Sequence, residues 1–194
     1  MSRASRADAA RHHQELVEAA SRLFRERGAS SVSVPDVMAE IGLSRGGFYK
    51  HFESKDALVA AAMDAAFDQH VGRLGQIADE QSRDPGQTRA AFLDYCLSTE
   101  NRDGPGTGCP SPFVVDVARS GPGDGSRATF LRNTHALLDE LREKAVREDL
   151  DPAEHEEALL ADLATTVGAI LLARATAGDP LSDDILAAAR HRLG

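Results

Sequence analysis

Cysteine is scarce in this chain of 194 residues: only Cys96 and Cys109 are present. Two thiols cannot build a disulfide framework. Free cysteines fit a reducing compartment, and a cytoplasmic location is the expectation. Long apolar runs are also missing. None approaches the roughly 18 residues that span a bilayer. The polar, basic stretch from Met1 to Glu15 lacks the apolar core of an export signal. No membrane association is expected. Strand-like alternation never lasts five residues. There is no internal repeat, and no heptad seam long enough for a coiled coil.

Catalytic and metal-binding signatures are lacking too. Gly104-Pro105-Gly106-Thr107-Gly108 is glycine-rich, but no strand precedes it and no Gly-Lys-Ser/Thr follows, so it is not a phosphate loop. His12 and His13, and the isolated His70, His135 and His155, show no metal-ligand spacing with carboxylates or thiols. No serine occupies a nucleophile-elbow pattern. The sequence predicts no enzyme, no cofactor and no metal.

Positive charge is in deficit: 22 Lys and Arg face 31 Asp and Glu, a net of -9. The distribution is uneven. Residues 1–56 hold nine basic and eight acidic side chains, a net of +1, and the remainder holds thirteen against twenty-three, a net of -10. An acidic body repels phosphates, so only the front segment suits a nucleic acid. Arg3, Arg6, Arg11, His12 and His13 form either a basic arm toward a nucleic-acid backbone or a solvated tail.

What fills the chain is helical periodicity. Leu16, Ala20, Leu23 and Phe24 share one face of a first helix that Gly28 closes. Ser33 caps a second, Asp36 completes its capping box, and Gly42 ends it. Ser44 caps a third, Arg45 to Phe52, and Ser54 a fourth, Lys55 to about Asp79. After a break at Asp84-Pro85-Gly86, a fifth helix runs to about Glu100. Asn101 to Pro110 reads as a loop, Pro112 to Arg119 as a short helix, and Ser120 to Gly125 as a second loop. A helix from Ser126 to Leu150 follows. Asp151, Pro152 and Glu154 start the next, which runs to Ala177. Ser182 caps the last, to Arg192. The expected fold is all-α with about nine helices: a three-helix domain over residues 1–54 and a larger helical domain over residues 55–194.

The most specific stretch is residues 33–55. Gly42 permits the left-handed backbone of a sharp turn between two helices. Leu43 plugs the space between them, and Phe48 and Phe52, four apart, anchor the third helix to the core. Arg45, Gly46, Tyr49 and Lys50 then face outward. Gly46 and Gly47 cost about 1 kcal/mol each relative to alanine inside a helix, and bare backbone that approaches DNA closely gives them a reason. Arg45 can pair bidentately with guanine, and Lys50 can reach guanine or a phosphate. Tyr49, His51, Lys55 and the hydroxyls of Ser33 and Ser44 suit phosphates. Amides at helix N-termini add anion sites. The pattern reads as a helix-turn-helix for double-stranded DNA.

Residues 16–58 resemble the TetR family of one-component bacterial regulators. The likeness rests on Ala19-Ala20, Leu23-Phe24, Gly28, Ser33-Val34, Met38-Ala39, Gly42-Leu43-Ser44, Gly47-Phe48-Tyr49, His51-Phe52, Ser54-Lys55 and Leu58. It implies a homodimer with a DNA-binding domain and an effector-binding domain. It implies phosphate contacts at Tyr49, His51 and Lys55, and a recognition face at Arg45, Gly46 and Lys50. Pro35 and Asp36 lie where the family varies, so no base contact is assigned there. A dimer would set two recognition helices in successive major grooves, about 34–36 Å apart, on an approximate inverted repeat. Repression is the family default.

In the larger domain, Leu159, Leu160, Leu163, Val167, Ile170 and Leu171 give a broad apolar surface, and Gly168 and Ala169 permit close helix approach. A dimer contact through the two C-terminal helices fits this surface, as does filling of the monomer core. Phe92, Tyr95, Cys96, Phe113, Phe130, Thr134 and His135 mix apolar walls with a few polar groups, as small-molecule sites do. Cys109 is either a thiol activated at a helix N-terminus or a small buried apolar residue. The resemblance adds that some such regulators sense oxidants or electrophiles through one cysteine. A DNA-binding module controlled by a protein partner is the remaining alternative.

Overall fold

The computed structural model describes residues 3–43, 45–121, 124–147 and 150–194. Among the described residues there is no strand. The elements are α1 (Arg3–Arg27), α2 (Val34–Glu40), a 3-10 helix (Arg45–Lys50), α3 (Lys55–Glu80), α4 (Pro85–Cys96), α5 (Thr99–Asp103), α6 (Pro112–Arg119), α7 (Gly125–Lys144), α8 (Pro152–Ala175) and α9 (Pro180–Leu193).

Side-chain caps place most of the helix starts. Ser33 Oγ accepts from Asp36 N, and the Asp36 carboxylate accepts from Ser33 N, so α2 opens on the expected capping box. Ser54 Oγ accepts from Ala57 N at α3, Asp84 from Gln87 N at α4, and Asp151 from Ala153 N and Glu154 N at α8. Gly28 and Gly42 both take positive φ, +81° and +69°, where a side chain would be strained.

The elements depart from the sequence expectation in four places. The third helix is a short 3-10 turn rather than an α-helix to Phe52; consecutive glycines at its start remove α-helical preference. The fifth helix ends at Cys96, because Asn101 Nδ2 donates to Cys96 O at 2.6 Å and takes the carbonyl a continuing helix would use. Ser98 then caps α5, which runs on into the expected loop as far as Asp103. The helix expected to reach Leu150 ends at Lys144, with Ala145 buried at its C-cap. Asp179, not Ser182, caps α9, with Pro180 in its first turn. Ser182 Oγ instead donates to Ala173 O at 2.7 Å and ties α9 to α8.

One apolar cluster runs from Leu16 on α1 through Met38, Phe48, Leu58, Phe67 and Phe92 to Leu138 and Leu159. It crosses the boundary expected between residues 54 and 55. α3 is its axis, packed against α1 on one side and α7 on the other. A smaller cluster joins Leu97 to Ile170, Ala173, Leu186 and Leu193 on α8 and α9. The segment Ala153–Ala175 of α8 is long and apolar enough, by length and composition, to cross a membrane, which corrects the expectation that no run approaches that length. Glu154, Glu156, Glu157, Asp162 and Arg174 lie within it. Only 28% of its most apolar window is buried, and Leu160 and Leu172 stay exposed.

Candidate functional site

The N-terminal head is built on two buried rings. Phe48 and Phe52 are 1% and 8% exposed and stack 5.9 Å apart. They hold the 3-10 helix against α1 and α2, and His13 stacks on Phe52 at 4.6 Å. The same short turn thrusts the next ring outward: Tyr49 is 72% exposed, with only its edge against Phe48. Lys50 is exposed, and His51 and Lys55 are half-buried beside it. Ser44, and the side chains of Arg45 and Gly46, lie outside the described residues. Gly47 is half-buried, and a Cβ there would meet Met38 Cε at 3.5 Å, an ordinary contact, so its bare side packs toward α2.

The electrostatics of this surface are graded. Ser33 Oγ donates to Asp36 Oδ2 at 2.6 Å, so the hydroxyl expected at a phosphate is committed to a carboxylate. Hydrogen bonds from Ser33 hold the Asp36 carboxyl below its usual range. Burial pushes the His51 imidazole down, and the neighbouring His13, His12 and Lys50 push it further. At neutral pH His51 is thus mostly a neutral N–H donor, and Lys50 and Lys55 carry the fixed charge. The candidate basic arm is the start of α1, where Arg11 pairs with Glu15 at 2.9 Å and Asp8 at 3.6 Å.

A cavity of about 290 Å³ opens among α3, α4, α7 and α8. Of the predicted pocket residues, Phe92, Cys96, Cys109, Phe130 and Thr134 line it. Three others do not. Phe113 is sealed in the core, Tyr95 sits half-buried beside His70 under the Arg73 guanidinium, and His135 is exposed on α7. Residues the sequence reading missed complete the wall, among them Phe67 and His70 from α3 and Thr166 and Val167 from α8. His70 shares the buried face of α3 with Ala66, Phe67 and Leu74, and that helical register was the available signal. Burial, aided by the Arg25 charge, pushes His70 down to about 4, so it is neutral at pH 7. Its Nε2 lies 3.9 Å from Cys96 Sγ. Burial pushes the thiols of Cys96 and Cys109 up, although hydrogen bonds from Ser111 and the charges of Arg174 and Arg25 oppose the shift at Cys109.

The loop that contributes Cys109 to the wall is held from both sides. Asn101 Oδ1 accepts from Cys109 N at 2.9 Å, and a Cβ on Gly108 would collide with the same oxygen. From α8, Arg174 donates to Asn101 O, Arg102 O and Ser111 Oγ. On the other flank, Asp116 of α6 accepts from Ala29 N at 2.8 Å, just past the end of α1.

The structure thus sets a helix-turn-helix head on a larger helical body with an internal cavity. Residues 16–62 match the family described as bacterial regulatory proteins, tetR family. That match covers the N-terminal domain alone. It is 26% identical over 144 residues to the uncharacterized HTH-type transcriptional regulator YfiR of Bacillus subtilis, covering 73% of this chain and 67% of that one. It is 32% identical over 82 residues to the HTH-type transcriptional regulator TtgR of Pseudomonas putida, 41% of this chain and 39% of the relative. It is 26% identical over 88 residues to YerO of Bacillus subtilis, where the match spans 30% of the relative's length. Among solved structures, a TetR transcriptional regulator from Chloroflexus aurantiacus superposes with a TM-score of 0.70 at 26% identity, over 96% of this chain and 94% of that one. The reduced form of E. coli NemR superposes with a TM-score of 0.75 at 17% identity, over 93% and 94%, a likeness of fold.

Proposed function

We propose that this protein is a cytoplasmic transcriptional repressor of the tetR family that binds an inverted-repeat operator as a homodimer and leaves it when a small molecule fills the cavity. The single observation that carries the reading is Tyr49, projected into solvent from a turn whose other rings are buried. An exposed phenol flanked by Lys50, His51 and Lys55 suits a phosphate backbone and has no other evident use. Residues 1–54 act as the DNA-binding domain and residues 55–194 as the effector and dimer domain. Arg45, Gly46 and Lys50 form the recognition face, with Ser33, Ser44 and Gly47 bordering it. The exposed Leu160 and Leu172 of α8 and Leu181 of α9 support a dimer contact through those two helices. Catalysis has no part in this reading.

The test is a footprint on the DNA upstream of the protein's own gene, repeated with candidate ligands. Protection of two half-sites about one helical turn apart, lost on adding a cavity ligand, is the expected result. Protection of a single half-site, or none, would sink it. A second reading has Cys109 as the trigger, since two guanidiniums flank it and it lines the cavity. Burial raises this thiol and disfavours the thiolate. Cys109→Ser with an unchanged response to an electrophile would end that reading. A complex released by a protein partner, and by no small molecule, would favour the partner-controlled alternative.

A further inference from the structure

The cavity's wall is unusual in what it leaves unmet. Of the six buried side-chain polar atoms without a hydrogen-bond partner among the described residues, three belong to its lining: His70 Nδ1, Thr134 Oγ1 and Thr166 Oγ1. His70 and Thr166 are 4% and 7% exposed. Buried polar groups are nearly always paired, because leaving one unpaired forfeits its hydration. Three on one wall therefore point to a guest that pairs them. Their residues come from α3, α7 and α8, on three sides of the cavity, where a turn of each side chain would bring the polar atom to a guest.

The charges on the described lining residues cancel, and the nearby guanidiniums of Arg25 and Arg174, behind the Cys109 loop, are bound to backbone carbonyls and to the Gln69 and Ser111 side chains. Arg89 donates through Nε to Asp162 Oδ2 at 2.9 Å and through Nη2 to Leu193 O at 2.8 Å, so the one guanidinium on the wall is already bound to the one carboxylate. His70 is neutral at pH 7, and both cysteines are thiols. Among the described lining residues no cation remains to meet an anionic ligand, and no free carboxylate to meet a cation. The rest of the lining is apolar: Phe67, Phe92, Phe130, Leu137, Leu163 and Val167 dominate it. A charged guest would lose its hydration there without a counter-charge, at a cost far above that of a neutral one.

We infer that the ligand is an uncharged, mainly aromatic or aliphatic molecule that presents one or two hydroxyl or carbonyl groups to Thr134, Thr166 and His70. This rests on the proposed function only in taking the cavity as the effector site. The threonine hydroxyls both donate and accept, and the His70 Nδ1 does either according to which tautomer faces Cys96. The wall thus accepts an alcohol, a phenol or a ketone and discriminates by charge. A volume of about 290 Å³ suits a two-ring skeleton.

The test is a matched series at pH 7.5 on the full chain: 2-naphthol, naphthalene, 2-naphthoate and 2-naphthylmethylammonium, with Kd from calorimetry. 2-Naphthol should bind at least tenfold more tightly than naphthalene, and both charged probes at least thirtyfold more weakly than 2-naphthol. The double variant Thr134→Val with Thr166→Val should reduce the 2-naphthol advantage over naphthalene to less than threefold. Naphthalene itself should bind the variant within threefold of the parent, which also reports an intact cavity. If the variant does not fold, the four-probe ranking on the parent protein decides alone. A charged probe that binds as tightly as 2-naphthol, an undiminished 2-naphthol advantage in the folded variant, or binding by none of the four overturns the inference. Operator occupancy followed in the same titrations separates the two ideas. The expected ranking with no loss of operator leaves the ligand class standing and refutes effector release. Release driven equally well by 2-naphthoate does the reverse.

Discussion

Arg25 Nη1 donates to Gly108 O across 2.8 Å, and this bond joins the last turns of α1 to the loop that walls the cavity. Its other bonds go to Ser21 O at 3.1 Å and to Gln69 Oε1 on α3 at 2.9 Å. The side chain is 4% exposed, and burial lowers it to about 10, so it stays charged at neutral pH. One guanidinium therefore touches the DNA-binding head, the central helix and the cavity loop together.

Arg25→Met keeps the stem's packing and removes all three bonds. Cavity ligands should bind it within about threefold of the parent, while the ligand-driven change in operator affinity falls at least fivefold, about 1 kcal/mol of coupling. Band-shift titrations with and without ligand measure both quantities. A full response in this variant would show that the bond carries no signal.

Gly108→Ala should be disruptive out of proportion to one methyl group. The new Cβ would force Asn101 from its place, and Asn101 serves both Cys96 O and Cys109 N. Two buried backbone groups would lose their partner, a cost on the order of 2 kcal/mol. Urea unfolding gives the number, and a change below about 0.5 kcal/mol would mean the loop adapts.

Tyr49→Ala and Lys55→Ala touch exposed or half-exposed groups and should leave unfolding unchanged within about 0.5 kcal/mol. Each should weaken operator and random DNA alike, and Lys55→Ala should reduce the salt slope by about one. Arg45→Ala should instead abolish preference for the operator. Fluorescence anisotropy at several salt concentrations distinguishes these outcomes.

His70 makes stability depend on pH. Its folded value of about 4 lies below the ordinary 6.5, so the unfolded chain binds more protons between those values. The stability associated with a neutral His70 is complete above pH 6.5 and is lost as pH falls toward 4. The full difference is on the order of 3 kcal/mol. His70→Gln should flatten this part of the profile in urea denaturation at pH 7, 6 and 5. An unaltered slope would place the dependence elsewhere.

Leu160→Lys with Leu172→Lys places two charges on the exposed apolar surface of α8, Leu160 at the cavity's edge and Leu172 about a third of a turn around the helix. Sedimentation should show a single subunit in place of a dimer, with operator affinity down at least a hundredfold. A dimer of unchanged strength would move the contact off this face.

Much of the head was legible in the sequence because its signals are local. Ser33, Asp36, Ser54 and Gly42 act within four residues of themselves, and Phe48 and Phe52 announce an anchored turn by spacing alone. The break after Cys96 was not legible, because a side chain five residues ahead takes its carbonyl. At α9 the Asp179-Pro180 start matches Asp151-Pro152 and was available, but Ser182 also looks like a cap until its hydroxyl is seen bonded to α8. The cavity was half visible. Apolar periodicity marks a buried face without saying whether another side chain or an open space lies opposite, so Phe113, expected on the wall, is sealed in the core, and His70, given no role, stands on the wall.

α3 runs without interruption from Lys55, one of the proposed phosphate contacts, to His70 on the cavity wall. That is 15 residues, or about 22 Å of rigid rod. Pivoted at its cavity end by about 5°, such a lever would carry Lys55 through about 2 Å, and in a pair of subunits the two displacements would compound. A shift too small to notice around a bound molecule is then large enough to misalign two heads against a groove spacing that does not stretch.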